Sequence, residues 1–232
     1  MQGSWCFQAS GCRCISIMPL VRSCQYSFVY LSRCRACSRK NERRVPIPKR
    51  DLRRCIRINL LGQCDRPVFD TIARWIHGEW PDELRAFGQN NVEAVAQHLW
   101  TTTLRTSITP VQGMASLPAT LVASVDNVLL GTVSLYAEDM AGHDAEFGPW
   151  LASLYVAPEG RGHGVASVLL KAAASLAKRL GLLRLGLWFP KSKPHLLELY
   201  KKHGWEVVRE MNYQSSSFGG EVVVMSLAEQ KI

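Results

Sequence analysis

A chain of 232 residues, of which 47% are hydrophobic, is long enough for one folded domain of ordinary size and a tail. Residues 1–57 hold 13 basic and 2 acidic side chains, whereas the remainder holds 15 basic and 17 acidic ones, so the net charge of +9 belongs to the N-terminal tail. This distribution excludes a basic nucleic-acid-binding face on the folded part, and the lack of an apolar run of about 18 residues excludes a transmembrane helix.

Residues 1–55 are rich in Arg, Cys and Ser and show no helical or strand periodicity, which predicts a disordered tail. Such a composition is also typical of an organellar targeting segment, and a basic tail of this kind suits RNA or an anionic membrane. Four cysteines of the tail have a spacing like that of zinc ligands, namely Cys12, Cys14, Cys34 and Cys37. No histidine lies between them, and we predict no metal site there. All eight cysteines lie at or before Cys64, so the folded part needs no disulfides. We expect an intracellular protein, cytoplasmic, or mitochondrial if the tail is a targeting segment.

The patterns of a folded domain begin at residue 56, and we assign residues 56–232 to one domain. Residues 56–60 alternate in hydrophobicity, as a short strand does. Helical periodicity then covers residues 67–80 and residues 91–105, and a loop follows over residues 107–117. In the first helix the apolar side chains share one face: Phe69, Ile72, Ala73 and Ile76.

The middle of the chain has the pattern of a hairpin followed by a buried strand. Residues 119–125 and 128–136 are predicted as antiparallel strands, because the turn-forming pair Asp126–Asn127 separates them. Residues 138–148 form a polar loop. Residues 150–156 are apolar at successive positions, which predicts a central strand.

The last third of the chain alternates helices with strands. A helix over residues 164–180 is closed by Gly181, because a glycine at this position supplies the left-handed cap. The remaining elements are a strand, a helix and two further strands, over residues 182–188, 194–203, 205–211 and 221–227. In total the sequence predicts an α/β (α+β) fold of about seven strands and about four flanking helices.

The segment that carries chemistry covers residues 154–166, where a buried strand passes through a short turn into a helix. A helix N-terminus has unpaired N–H groups and a partial positive charge, so it attracts phosphate. Gly162 and Gly164 let the backbone approach an anion, and Arg161 adds positive charge. The third glycine of a dinucleotide-binding loop and the G-K-[ST] of a Walker loop are both missing. From these residues alone, a glycine-rich turn without a ligand remains the alternative.

Three stretches resemble the GNAT family of N-acetyltransferases. Arg161-Gly-His-Gly-Val-Ala166 matches the family's acetyl-CoA motif R/Q-x-x-G-x-G/A, and Leu154-Tyr-Val-Ala-Pro resembles the strand and turn before it. Leu199-Tyr-Lys-Lys-His-Gly-Trp205 resembles the later L-Y-x-x-x-G-F/W element. The resemblance covers about residues 56–227 and points to a bacterial-type group, mostly of unassigned substrate. It implies the GNAT fold, with a mixed and mostly antiparallel sheet.

The resemblance also implies an acetyl-CoA site. The central strand would separate from its neighbour, and backbone groups of Leu154, Tyr155 and Val156 would hold the pantetheine arm. The N–H of Val156 would stabilise negative charge on the thioester oxygen. Tyr200 stands where the family has its general acid, which would protonate the departing thiolate, and the alternative is that it only packs against the sheet. The pyrophosphate would lie on the following segment: Arg161, Gly162, His163, Gly164, Val165, Ala166 and Ser167.

The general base is not identified by the resemblance, because residues 150–156 contain no carboxylate. The polar loop just before this strand holds carboxylates that suit a cationic acceptor or a proton relay, and the alternative is a solvated loop. These carboxylates are Glu138, Asp139, Asp144 and Glu146.

We therefore predict an acetyl-CoA-dependent N-acetyltransferase, in which a primary amine attacks directly within a ternary complex. The acceptor is a small molecule or a peptide. A catalytically silent acetyl-CoA-binding regulatory module is the alternative, and the missing strand carboxylate supports it. We expect no metal, no membrane and no nucleic acid at the folded domain, and both a monomer and a homodimer remain open.

Overall fold

A computed structural model of the chain describes residues 56–105, 117–216 and 218–227. The predictions for the tail, including its disorder, its targeting role and its lack of a zinc site, concern residues 1–55 and lie outside these residues. Most of the loop predicted after the second helix lies outside them as well. Among the helices that the structure describes, none has the length and apolar character needed to cross a membrane.

Seven strands of the described residues form one sheet. They are β1 (Arg57–Leu60), β2 (Ala119–Val125), β3 (Val128–Tyr136), β4 (Trp150–Val156), β5 (Leu185–Pro190), β6 (Glu206–Gln214) and β7 (Gly219–Leu227). Their order across the sheet is β1–β2–β3–β4–β5–β7–β6. The pair β4–β5 is parallel, and the other neighbouring pairs are antiparallel. This confirms a mixed, mostly antiparallel sheet with the predicted strand at its centre.

Six helices accompany this sheet in the described part of the chain. They are α1 (Arg66–Glu79), α2 (Pro81–Ala86), α3 (Val92–Arg105), α4 (Asp144–Phe147), α5 (Val165–Arg179) and α6 (Pro194–Lys201). The four longer ones, α1, α3, α5 and α6, were predicted. The other two have six and four residues, which is too short for an apolar period to show in the sequence.

Strand β5 begins three residues later than predicted, and the first of these residues, Leu182, belongs to the cap of the preceding helix. Gly181 is left-handed, with φ of 71°. Its N–H donates to the carbonyl of Lys178 at 3.0 Å, and the N–H of Leu182 donates to the carbonyl of Ala177 at 3.0 Å. These two bonds form a Schellman cap. Leu182 therefore belongs to the helix terminus rather than to the strand.

The two faces of the sheet carry different cores. Helices α5 and α6 cover one face, where Leu169, Leu187 and Met225 are buried in the largest cluster. On the other face, α1 and α3 cover the β2 side in a second cluster, and a smaller cluster around Trp150 covers β5 and β7. Strand β4 lies between these two clusters, so its surface on this face is only partly covered.

Candidate active site

Strands β4 and β5 separate almost as soon as they meet. Among the described residues, Trp150 and Gly186 are the one pair in register between them, and the N–H of Gly186 donates to the carbonyl of Pro149 at 2.8 Å. Beyond this point the peptide groups on the β5 side of β4 have no strand partner. Residues 152–156 are half-buried although they belong to the middle strand of the sheet. The separation leaves a gap lined by backbone.

Val156 presents its peptide N–H to this gap. The N–H of Ala157 donates to the carbonyl of Leu130 in β3 at 2.9 Å. Successive peptide groups of an antiparallel strand point to opposite sides, so the N–H of Val156 points away from β3. The carbonyl of Val156 accepts a hydrogen bond from Nε of Arg161 at 3.1 Å. The N–H thus faces the gap while the carbonyl is occupied, which suits the predicted charge-stabilising role.

A β-bulge deforms β4 beside the gap. In the β3–β4 register Thr132 faces Tyr155 and Ser134 faces Ala152, so β4 has an extra residue between these pairs. Ser153 adopts a left-handed conformation with φ of 52°, which is uncommon for a residue other than glycine. Gly131 makes room for the deformed strand, since a Cβ atom there would lie 2.5 Å from the carbonyl oxygen of Tyr155. Sequence patterns did not predict this bulge.

The glycine-rich loop after β4 has the shape of an anion site. Gly162 and Gly164 are left-handed, with φ of 72° and 80°. Within the part of the chain that the structure describes, a Cβ atom at Gly162 would meet no atom of a non-adjacent residue within 4 Å, so the loop faces open space there. Among the described residues no side chain caps α5, and the first backbone bond of the helix runs from the N–H of Val168 to the carbonyl of Gly164. The N–H groups of the first turn therefore remain for an anion.

Arg161 and His163 stabilise the loop itself. Arg161 is exposed and joins the loop to the end of β4 through the carbonyl of Val156. His163 is half-buried, and its Nδ1 lies 2.7 Å from the carbonyl oxygen of Arg161. The imidazole of His163, which the resemblance places in the pyrophosphate segment, is thus bound to the backbone of the loop.

Tyr200 of α6 lies on the α5 side of the sheet. Its ring centroid is 5.7 Å from that of Phe189 in β5 and 6.0 Å from that of Trp205. Burial raises the pKa of Tyr200 to about 12, so the phenol stays protonated at neutral pH. The ring is packed, as the alternative prediction has it, and the protonated hydroxyl keeps the chemistry of a proton donor.

The carboxylates of the acidic loop between β3 and β4 have different partners. Asp144 is structural: its Oδ1 accepts from the N–H of Asp139 at 2.8 Å, the N–H of Met140 at 2.9 Å and the indole of Trp150 at 2.7 Å. Glu146 pairs with Nη2 of Arg209 at 2.8 Å. Glu138 is exposed at the surface.

Asp139 is held by the neighbouring strand instead. Its Oδ2 accepts a hydrogen bond from the indole Nε1 of Trp188 in β5 at 2.9 Å. The carboxylate keeps solvent access, yet burial by the surrounding protein raises its pKa to about 7. Asp144 raises this pKa further, and the bond from Trp188 opposes the shift. An aspartate poised near neutrality is suited to taking up a proton.

An aromatic pair joins α1 to β4 beside the gap. The indole of Trp75 stacks on the ring of Tyr155, with ring centroids 5.3 Å apart and an angle of 26° between the planes. Further along α1, Glu79 lies 3.9 Å from Nζ of Lys193, which follows β5. Helix α1 therefore reaches from β4 to the far side of the gap. No local pattern marks such contacts in the sequence.

The structure brings most predicted site residues to this one place. Residues 154–156 line the gap, and residues 161–167 form the loop and the first turn of α5. On the two faces of β5, Tyr200 packs against Phe189 and Asp139 accepts a hydrogen bond from Trp188. Glu138 and Glu146 belong to the same loop as Asp139, but Glu138 is exposed and Glu146 pairs with Arg209 of β6. Within the described ranges, no group of three or more His, Cys, Asp or Glu side chains is arranged to hold a metal ion.

Comparison with known proteins identifies a family. The model of the acetyltransferase (GNAT) family matches residues 73–205, more than half of the chain. This range contains every predicted site residue from Glu138 to Tyr200. A search of curated protein sequences finds no significant match.

Solved structures share the fold at low identity. The spermidine/spermine N-acetyltransferase SpeG from Vibrio cholerae aligns with a TM-score of 0.56 and 15% identity, over 78% of this chain and 96% of that one. The spermidine N-acetyltransferase from the same organism, solved with CoA and spermine, aligns at 0.53 and 14%, over 76% and 97%. The structure of yncA from Salmonella typhimurium with its cofactor acetyl-CoA aligns at 0.54 and 14%, over 75% and 94%. At these identities the likeness establishes the fold.

Proposed function

The chain belongs to the acetyltransferase (GNAT) family, and from this premise we propose that it transfers the acetyl group of acetyl-CoA to a primary amine. One observation carries the proposal: the gap between β4 and β5 leads to a helix N-terminus that no side chain caps. A backbone-lined gap next to an anion site suits a ligand with an extended polar arm and a pyrophosphate.

The residues present fit acetyl-CoA as the acetyl donor. The open space at Gly162 leaves room for the pyrophosphate, which the N–H groups of residues 162–166 would bind. Those peptide groups of residues 154–156 that point away from β3 would bind the pantetheine arm. Bound in this way, acetyl-CoA supplies a thioester carbonyl in the gap, where the N–H of Val156 points.

The proposed reaction is a direct attack of the amine on this carbonyl within a ternary complex. Val156 stabilises the charge that develops on the oxygen, and holding both reactants in the gap supplies much of the rate. Tyr200 donates a proton to the departing sulfur, since its pKa of about 12 keeps the proton in place until then. Its position on the α5 face leaves the other face free for the acceptor.

We propose that the acceptor is a cationic amine. Asp139 and Glu138 supply negative charge beside the gap, whereas the charge of Glu146 is neutralised by Arg209. The stacked rings of Trp75 and Tyr155 form one wall of the open face. Two solved structures of like fold are named as spermidine acetyltransferases from Vibrio cholerae, which supports a polyamine as the first acceptor to test. A peptide amine is the other acceptor class that an exposed face admits.

Two measurements on the full chain test the proposal. Isothermal titration calorimetry with acetyl-CoA should show binding, and mass spectrometry should detect an N-acetylated product from spermidine or from a lysine-containing peptide. Binding without product from any primary amine would favour the catalytically silent acetyl-CoA-binding module. The lack of a carboxylate on β4 is the observation that supports this alternative. Absence of binding by the folded chain would contradict both functions.

A further inference from the structure

We propose that Asp139 is the general base that takes the proton from the attacking amine, and that Trp188 is the residue that positions its carboxylate. The inference rests on the proposed acetyl transfer and adds the residue that this reaction lacks. Neither the strand β4 nor the family resemblance supplies this group, since residues 150–156 include no acid.

Two consecutive residues of β5 place the acid and the base on opposite sides of the gap. Successive side chains of a strand point to opposite faces. Phe189 packs in the core on the α5 face, where it contacts Tyr200. Trp188 packs on the other face, where it donates to Asp139. Both residues lie beyond Gly186, the point at which β4 and β5 part. A carbonyl in the gap therefore has Asp139 on one side and Tyr200 on the other.

Tyr136 gives an electrostatic link between this region and the bulge in β4. It ends β3, three residues before Asp139. Burial raises the pKa of Tyr136, the side chain of Ser134 lowers it, the charge of Asp139 raises it, and the side chain of Ser153, the left-handed residue of the bulge, lowers it. Asp139 therefore lies within electrostatic range of a residue that also interacts with the deformed part of β4.

Of the other three carboxylates of the loop, Glu138 is exposed at the surface and the remaining two are committed elsewhere. Asp144 accepts three N–H groups, and removing it from them would leave three donors without their partner. Glu146 is paired with Arg209 and lies 3.8 Å from His143. Asp139 combines a fixed position, solvent access and an indole partner on the strand that borders the gap.

The step balances with these groups alone. The ammonium form of the acceptor first loses one proton to water. The lone pair of the neutral amine then forms the new C–N bond, the carbonyl π pair moves to oxygen, and Asp139 takes one N–H proton. When the oxygen pair returns, the C–S bond breaks, its electrons leave with sulfur, and Tyr200 protonates that sulfur. The products are the N-acetyl amine and the CoA thiol. Asp139 then releases its proton to water and Tyr200 regains one, which restores the enzyme.

The protonation state of Asp139 follows from its surroundings. Asp144 lies on the same loop, and Tyr136 and Tyr213 approach from β3 and β6. Trp188 faces the carboxylate from β5, and the pair Glu146–Arg209 with His143 flanks the loop. Since burial and Asp144 raise the pKa of Asp139 to about 7, the carboxylate becomes ionised as the pH rises through neutrality. Turnover should therefore increase with pH over this range.

The test is a pH profile of kcat for the full chain and its variants, with acetyl-CoA and spermidine or the lysine peptide as acceptor. The wild type should show a rising limb near pH 7. Asp139→Asn keeps an oxygen acceptor for Trp188, so this variant should fold and bind acetyl-CoA normally. Its kcat should fall by about 100-fold, and the rising limb of its pH profile should disappear. Trp188→Phe should move the limb to higher pH, because the hydrogen bond that lowers the pKa is lost.

Glu93→Gln, the removal of an exposed carboxylate on α3, is the matched control and should leave the profile unchanged. If Asp139→Asn retains the wild-type kcat and limb, Asp139 is not the base. An unmoved limb in Trp188→Phe would contradict the positioning role. A wild type that binds acetyl-CoA but forms no N-acetyl product would instead overturn the proposed function, on which the inference rests.

Discussion

The hydroxyl of Ser167 and Nε2 of His203 lie 3.0 Å apart, so the helix that begins at the glycine-rich loop is joined to the segment that carries Tyr200. Ser167 belongs to the first turn of α5, and His203 follows α6, with its N–H bonded to the carbonyl of Tyr200 at 2.8 Å. The proposed phosphate site and the proposed acid are thus parts of one packed unit.

His203 should make the fold less stable at acidic pH. Burial, with Lys171 and Lys202, lowers the pKa of His203 below its ordinary value of 6.5. As the pH falls through 6.5, the unfolded chain binds a proton that the folded chain resists, so the stability falls. Thermal unfolding between about pH 5 and about pH 8 should show a weaker pH dependence in His203→Gln than in the wild type. His195→Gln, at an exposed histidine of α6, should leave the dependence as it is.

Gly162→Ala should weaken acetyl-CoA binding, and Gly181→Ala should not. The two glycines have φ of 72° and 71°, and neither has a protein atom within 4 Å of a Cβ position. Each alanine therefore costs about 1–2 kcal/mol in left-handed strain. Only at Gly162 would the methyl group face the proposed pyrophosphate. Calorimetry with acetyl-CoA and thermal unfolding separate the two effects, and equal affinities in both variants would contradict the assignment of the loop.

Local sequence was sufficient for the elements whose signals are local. The pair Asp126–Asn127 adopts φ of 49° and 66°, as a two-residue hairpin turn requires, and the strands on either side begin and end where predicted. The glycine-rich turn into α5 is predictable for the same reason, because its glycines and the helix follow one another in the chain.

The shape of the site depends on long-range register, which the sequence does not display. The bulge at Ser153 arises from the pairing of β4 with β3. Gly131 is the residue in the sequence that reflects it, because a side chain there would clash with the deformed strand. The bond between Trp188 and Asp139 joins residues 49 positions apart, so neither residue signals the other. The sequence could therefore name Asp139 among several loop carboxylates, and the strand pairing was needed to distinguish them.

Tyr200→Phe should lower kcat by about 100-fold while leaving acetyl-CoA affinity nearly intact. The ring contacts with Phe189 and Trp205 are kept, so thermal stability should change little. Because the pKa of Tyr200 is about 12, the wild type should show no fall in kcat from ionisation of this residue at moderately alkaline pH. Steady-state kinetics and calorimetry check both points, and a variant with wild-type turnover would reduce Tyr200 to a packing residue.

Asp144→Ala should destabilise the fold rather than the chemistry. Its carboxylate accepts two backbone N–H groups and the indole of Trp150, all within 2.9 Å. Losing them at about 1 kcal/mol each gives an expected loss of about 2–4 kcal/mol in the free energy of unfolding. Urea denaturation measures this quantity. Trp150→Phe, which removes one of the three donors, should cost less, and an unchanged midpoint in Asp144→Ala would mean that the loop does not depend on these bonds.

Asp139→Asn should stabilise the fold above neutral pH while it removes activity. The folded-state pKa of about 7 lies above the ordinary value of 3.8, so between these values the unfolded chain loses a proton that the folded chain retains. The stability conferred by the neutral form is therefore lost as the pH rises towards 7, and above it the wild type carries the full cost of an ionised Asp139. The asparagine has no charge to place there, so its advantage in thermal unfolding should be greatest at alkaline pH and should shrink as the pH falls towards 4.

A residue retained at a cost in stability is expected where catalysis needs it. A variant whose unfolding temperature follows the wild type at every pH would mean that the folded protein does not perturb this carboxylate.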